Sequence, residues 1–465
     1  MDAGRLDLVR AWAIGASLLL GCDDPVAPAG PRIQSVVVQG VNGNVLSSLV
    51  TVSSDAADSL LVHYGFDVAS APLDSTTPVF PFTSTVAEVP VLGLEPDRAY
   101  RLRVTVWRGA LATTSAAVTF TTGSLPGDLP RYQAGGDDAT PGYVIFAVGA
   151  WLLAIDNTGR VVWYHRLAEG TSLNFMAQPN GRYVARPATP DPVDAERWVE
   201  LDMLGRITRQ LGCAGGMVSR PHDLIALPDG SWWLLCDDIR FLDLTALGGS
   251  AGTKVTGTAV QHVGASGELL FQWTPFSHFS LEGLDSSVLS ATAINWTHGN
   301  ALDLAADGTL VVSFRNLSEI TGIDTRSGAV LWRLGGLRNE FRFEGTAMPP
   351  FAAQHGVRLV DGDVLLLDNL GNPGESRVER YRLDLTGRMA TLVSAYRPSI
   401  PVIAQLGGTT QRLDNGHTLV SFGTAGRVEE YDTGGHVVWQ IKGNPGYVFR
   451  AQRIKSLYSP GAPAR

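Results

Sequence analysis

From Pro141 onward two kinds of turn signal alternate along the chain, and this repetition constrains the fold more than any other feature. The first signal is an Asx/Gly turn feeding an apolar strand that often ends in Trp. It appears as Asp156…Gly159 before Trp163, Asp202…Gly205, Gly264…Gly267 before Trp273, Asp324…Gly328 before Trp332, Asp384…Gly387, and Asp432…Gly435 before Trp439. The second is a hairpin dipeptide, present as Asn180-Gly181, Asp229-Gly230, Asp307-Gly308, Asp361-Gly362 and Asn415-Gly416. Between apolar runs such dipeptides signal hairpins in which both turn residues take positive φ. Each unit therefore holds two hairpins, or four strands, in roughly 40–60 residues. Six units, the first lacking the dipeptide, are expected to close into a ring, because closure leaves no sheet edge free. The expected fold is all-β, with a six-bladed β-propeller over residues 141–458.

Residues 33–123 read as a separate β-sandwich. Ser35-Val36-Val37-Val38 and Leu60-Leu61-Val62-His63-Tyr64 have strand character, with His63 in a structural place on its strand. Tyr100-Arg101-Leu102-Arg103-Val104-Thr105-Val106 alternates with period two, and Val118-Thr119-Phe120-Thr121-Thr122 closes the module. That ending resembles a fibronectin type III or immunoglobulin-like domain. Residues 124–140, with Pro126, Pro130, Gly135 and Gly136, read as the linker.

The N-terminus reads as an export signal. Arg5 and Arg10 precede or border an apolar stretch, Ala11–Leu20. Ten residues are too few for a bilayer, which takes about 20, but they suit a signal sequence. The ending Leu19-Leu20-Gly21-Cys22 resembles a bacterial lipobox. On that reading residues 1–22 are signal and lipobox, Cys22 carries the lipid, and residues 23–32 are a tether. The protein would then be an exported periplasmic or cell-surface lipoprotein held to a membrane by its N-terminal lipid; a plain secretory signal is the alternative. Lipidation leaves Cys213 and Cys236, which export would allow to pair. Free buried thiols are the equal alternative, and two cysteines alone make no four-cysteine metal site.

Composition narrows the partners. Lys plus Arg number 36 against 45 Asp plus Glu, a formal charge of −9, and no basic run stands out. Nucleic acid is therefore excluded as the expected partner.

Three of the nine histidines share one phase of the repeat. His222, in Pro221-His222-Asp223-Leu224, stands seven residues before Asp229. His298, in Trp296-Thr297-His298-Gly299-Asn300, stands nine before Asp307, and His355, in Gln354-His355-Gly356-Val357, six before Asp361. Each is expected to open the innermost strand of its unit, so that all three converge on one face of the ring. Arg315, in Ser313-Phe314-Arg315-Asn316, lies seven residues after Gly308, and antiparallel pairing returns it to the same face. Asp237 and Asn369 hold that offset in the neighbouring units. His165, His262, His278, His417 and His436 have no such phase and are expected at the surface or in turns.

Three imidazoles could ligate zinc, but a guanidinium beside them suits a tetrahedral oxyanion better, because it grips two oxygens at once. Neutral imidazole is nucleophilic near neutral pH. The set therefore points to transfer of a sulfuryl or phosphoryl-like group through a histidine adduct, with no cofactor.

At these motifs the sequence resembles the bacterial arylsulfate sulfotransferases, most closely in the three units around His222, His298 and His355, and more weakly over 141–458. The family's order of an immunoglobulin-like domain before a six-bladed propeller also agrees. The resemblance implies ping-pong transfer from a phenolic sulfate ester to a phenol, independent of a nucleotide sulfate donor. It makes His355 the transiently sulfated nucleophile and His222 the acid/base toward the phenols. His298 and Arg315 would hold the sulfuryl oxygens, assisted by Asn300 and by a hydroxyl from Thr409 or Thr410. A disulfide near the nucleophile, found in some members, has no cysteine to form it after Cys236. Trp296, Phe314 and Phe351 are candidates for an aromatic lining and equally for core. Two other classes remain open: a non-catalytic propeller lipoprotein that binds an anion or partner, and a His-ligated metal hydrolase. A homodimer is compatible with all three.

Overall fold

The computed structural model describes residues 30–55, 57–69, 71–167, 171–188, 197–371, 374–398 and 400–461. The candidate lipidation residue Cys22, with its apolar leader and most of the tether, lies outside them. The described chain is all-β apart from short helical turns. No helix among the described residues is long and apolar enough to cross a membrane.

Two antiparallel sheets come first. One joins Ile33–Val41, Asn44–Ser54 and Val86–Leu92; the other is built on Ser59–Phe66 and Ala99–Arg108. Alternate residues from both, including Val50, Val52, Val62, Val89, Val91, Leu102 and Val104, meet in one core, as period-two strands require. His63 donates to or accepts from Thr105 Oγ1 at 3.0 Å within this sheet, in the structural place expected. The unit docks on the larger C-terminal body: Val45 N–H donates to Tyr164 Oη and Leu92 N–H to Tyr458 Oη, and Leu49 and Leu92 join a core of that body.

Six sheets, each built on four antiparallel strands, then succeed one another. Their first strands are Ala451–Ile454, Thr171–Ala177, Val218–Ala226, Gly299–Leu304, His355–Val360 and Thr409–Arg412. Each touches the next, and Thr409–Arg412 touches Ala451–Ile454, so the contacts run in a closed cycle. The sheet containing Tyr143–Val148 takes its first strand from the C-terminal segment. The last sheet is extended at its outer edge by Ala134–Gly135 from the linker region. Both ends of the ring segment are thereby fastened.

Side chains stitch the cycle together. Ala226 N–H donates to Gln178 Oε1, Leu302 N–H to Asp223 Oδ2, Leu359 N–H to Asp303 Oδ2, Arg453 N–H to Gln411 Oε1 and Ala177 N–H to Gln452 Oε1. Each bond crosses from one first strand to its neighbour and satisfies an amide that its own sheet leaves over.

The hairpin dipeptides turn as expected, with one correction to their geometry. Only Asp361-Gly362 has both residues at positive φ, and it closes a two-residue hairpin, with Val360 opposite Asp363. At Asn180-Gly181, Asp229-Gly230, Asp307-Gly308 and Asn415-Gly416 the glycine alone is left-handed. There the Asn or Asp accepts the amide two residues on, as Arg182 N–H to Asn180 Oδ1 at 3.0 Å, and the turn is one residue longer. Cys213 and Cys236 form a disulfide, with Cα atoms 6.2 Å apart.

Candidate active site

The three phased histidines meet at one end of the cycle, on three adjacent sheets. His355 is the first residue of His355–Val360 and buried, not exposed on a rim. His298 immediately precedes Gly299–Leu304 and takes φ of +49°, a strained setting for a residue with a Cβ. His222 lies within Val218–Ala226 instead of opening it, where the pairing to Trp232–Leu242 slips between Ser219 and Leu224 and frees its backbone. The His222 and His298 rings stand edge to face, 4.9 Å between centroids.

Arg315 returns to this face as the count predicted, although it begins a helical turn just after Thr309–Phe314. Its N–H donates to the His298 carbonyl at 3.1 Å. Its guanidinium donates to Asn316 Oδ1 at 3.0 Å and to the Gln405 carbonyl at 3.2 Å. Among the described residues it makes no ion pair and its Nε has no hydrogen-bond partner.

The hydrogen-bond network settles which nitrogen of His355 can react. Asn369 Nδ2 donates to the carbonyls of Ala404 (2.7 Å) and Gly407 (3.0 Å). Asn369 Oδ1 then faces His355 Nδ1 at 2.8 Å, with the Ala353 carbonyl 3.0 Å away. Both are acceptors, so Nδ1 carries the hydrogen and Nε2 keeps its lone pair. Gly407 N–H, which donates to Nε2 at 3.3 Å, agrees with that tautomer.

Asn300 and Thr410 secure the strand on either side of this histidine. Asn300 Nδ2 donates to the Gln354 carbonyl at 2.7 Å and Thr410 Oγ1 to the Gly356 carbonyl at 3.0 Å. Their donors are thus engaged with the backbone flanking His355; the polar atom of Asn300 without a partner among the described residues is Oδ1. The neighbouring Thr409 hydroxyl bonds to the backbone of Ala451.

Three further residues complete the site. Arg220, ion-paired with Asp237, brings Nη2 to 3.5 Å from His298 Nδ1. Arg450 donates to the His222 carbonyl at 3.0 Å and pairs with Asp223, which also holds Arg358. Phe449 stands edge-on to both His222 and His355, with centroids 5.7 and 6.4 Å away, and Tyr447 packs beside it. Arg220 was legible in principle, since a residue two before His222 on a strand shares its face. Phe449 and Arg450 precede the closing strand and carry no repeat signal. The expected aromatics instead lie in cores, Trp296, Phe314 and Phe351 all being buried there. Of the unphased histidines, His417 departs from expectation: it is buried and bonds Glu430 Oε1 at 2.9 Å.

The electrostatics follow from crowding. Burial lowers the pKa of all three histidines below 6.5, and neighbouring positive charge lowers it further: His298 to about 3, His355 to about 4, and His222 well down. For His222 the standing charges are Arg220 and Arg450; Arg315 acts on both His298 and His355. All three rings are neutral at neutral pH, inside a field that favours an anion.

The family model for arylsulfotransferase (ASST) matches residues 218–444. No curated protein matches the chain. Among solved structures, a protein of unknown function from Bacteroides caccae is 15% identical, with 67% of this chain and 98% of that chain covered and a TM-score of 0.42. A virginiamycin B lyase from Staphylococcus aureus is 11% identical, with 66% and 87% covered and a TM-score of 0.37. Residues 218–444, which hold every one of His222, His298, Asn300, Arg315, His355 and Thr410, are similar to the arylsulfotransferase family.

Proposed function

We propose that this protein transfers a sulfuryl group from a phenolic sulfate ester to a phenol through a sulfo-histidine on His355. The observation that carries the reading is the His355 tautomer: a neutral imidazole, fixed by Asn369, whose Nε2 lone pair shares the site with two more imidazoles and with the Arg315 guanidinium, which has no carboxylate partner among the described residues. In the first half-reaction Nε2 attacks sulfur, the N–S bond forms as the ester S–O bond breaks, and the phenoxide departs with a proton from His222. In the second, His222 takes the proton of the acceptor phenol, the phenolate attacks sulfur, and His355 is restored. Arg315 and His298 hold the sulfuryl oxygens, whose charge they meet with fixed donors. His222 is neutral in the free site, so its acid role depends on the bound sulfate ester, whose negative charge raises its pKa. Phe449 and Tyr447 would face the aryl ring.

The same reading takes residues 141–458 as a six-bladed propeller, supported by the closed cycle of first strands, and residues 33–123 as the immunoglobulin-like domain. It takes the protein as exported, which the Cys213–Cys236 disulfide supports; lipidation of Cys22 rests on the sequence. The test is turnover of p-nitrophenyl sulfate with phenol as acceptor. Nitrophenol release that rises with phenol, together with phenyl sulfate as product and parallel double-reciprocal lines, is expected. Absence of transfer across a panel of aryl sulfates and phenols overturns the reading.

A further inference from the structure

Resting on that reaction, we infer that Arg220 is a positioning residue that commits His298 to the tautomer able to donate to the sulfuryl group. The deciding atom is His298 Nδ1. Two groups face it: Asn295 Nδ2 at 2.7 Å and Arg220 Nη2 at 3.5 Å. An unanchored carboxamide cannot decide a tautomer, because rotating it by half a turn presents Oδ1 in place of Nδ2, and the Asn295 side-chain amide has no second bond among the described residues to hold it. Asn295 is anchored only through its carbonyl, which accepts from Asn316 Nδ2 at 2.7 Å. A guanidinium has donors and no acceptor. With Arg220 in place, Nδ1 must accept, so Nε2 carries the hydrogen and is the nitrogen that can donate.

His298 is thereby the opposite of His355. In His355 the acceptors Asn369 Oδ1 and Ala353 O put the hydrogen on Nδ1 and leave Nε2 unprotonated, with a lone pair that accepts only a long 3.3 Å bond from Gly407 N–H. In His298 the donor Arg220 bares Nδ1 and puts the hydrogen on Nε2. Two chemically identical side chains become nucleophile and oxyanion donor through the sign of what touches Nδ1.

Arg220 is built for a fixed role. Its side chain is 8% exposed, and its one carboxylate partner, Asp237, comes from the adjoining strand at the offset that gives Arg315 in the next sheet. Its Nε has no hydrogen-bond partner among the described residues. Burial of the site, with the charges of Arg220 and Arg315, also keeps His298 neutral; an imidazolium there would donate from both nitrogens and lose the distinction.

The experiment is 15N NMR of the full-length protein labelled at histidine, with His298→Gln to assign the resonances. Wild type is expected to show His298 as a single Nε2–H tautomer. The variant Arg220→Met is combined with Asp237→Asn so that no carboxylate is stranded. It is expected to show both tautomers and to lose about 10²-fold in transfer rate, as for a missing oxyanion donor. Arg220→Lys, which still only donates, should retain the Nε2–H form and recover most of the rate. An Nδ1–H signal for His298 in wild type, or a pure Nε2–H signal in the double variant, overturns the inference. Because the spectrum needs no turnover, it separates this outcome from a failure of the proposed reaction, which would appear as wild-type protein inert toward aryl sulfates.

Discussion

The two ends of the cycle of first strands differ in one respect, the fate of their polar atoms. At the end opposite the histidines, Gln178, Asp303, Gln411 and Gln452 point inward, yet each accepts a backbone N–H from the neighbouring sheet. Every one is spent on closing the ring. At the histidine end, His222 Nδ1, Asn300 Oδ1, Arg220 Nε and Arg315 Nε are buried without a partner. Between the ends Asp223 ties Arg358 and Arg450 into a floor. Buried polar atoms are nearly always paired in folded proteins, so a cluster that is not marks a place where a ligand completes the bonding. Polar lining by itself therefore does not identify a site; unspent polar lining does.

Substitutions at each end put this contrast at risk. The largest effect is expected from His355→Ala, which should remove both half-reactions while costing about 1–2 kcal/mol of stability for the lost bond to Asn369. Transfer at the wild-type rate by a folded variant would return His355 to the class of structural residues. Next is Arg315→Lys, which keeps the charge but not the fork, with a loss of about 10²-fold in turnover. A change within about twofold would place Arg315 outside the sulfuryl contacts. His222→Ala should be selective: it should slow transfer from phenyl sulfate far more than from p-nitrophenyl sulfate, whose leaving group needs little protonation. An equal loss across ring-substituted donors would leave His222 as packing only.

At the opposite end the expected signs reverse. Gln411→Ala strands the Arg453 amide and should cost about 1–3 kcal/mol in denaturant unfolding, with kcat and KM within about twofold of wild type. A large kinetic effect there would dissolve the distinction between the ends. A last effect is on pH. The native state holds His355 near a pKa of about 4 and His298 near about 3, whereas the unfolded chain protonates histidine near 6.5. The unfolded state thus binds more protons as pH falls, and stability should drop between pH 6.5 and about 4. His355→Ala should flatten that drop, as unfolding curves at several pH values would show.

How far the sequence led depends on which physics set each feature. Local backbone demands were readable: the Asx-Gly turns marked every sheet, and counting from Gly308 placed Arg315 beside His298. The exact turn type was not, because Asn180 or Asp307 can satisfy the turn with a side-chain acceptor instead of a positive φ. Asn369 and Asp237 shared the offset of Arg315, but their meaning as anchors for His355 and Arg220 needed the third dimension. Phe449 reaches the site only because the C-terminal strand closes the ring, a non-local event with no trace in spacing. Asn300 and Thr410 were expected to assist at the sulfuryl group, and the structure sets them beside His355 with their donors bonded to the Gln354 and Gly356 carbonyls.

The central claim is that His355 Nε2 carries the sulfuryl group between donor and acceptor. Incubating the protein with p-nitrophenyl sulfate in the absence of a phenol, then digesting it under mildly alkaline conditions for mass spectrometry, tests it directly. The expected result is one released nitrophenol per protein, one SO3 group on the peptide containing His355, and loss of that group when phenol is added. Stoichiometric nitrophenol release with no adduct, or an adduct on another residue that phenol discharges, would contradict it.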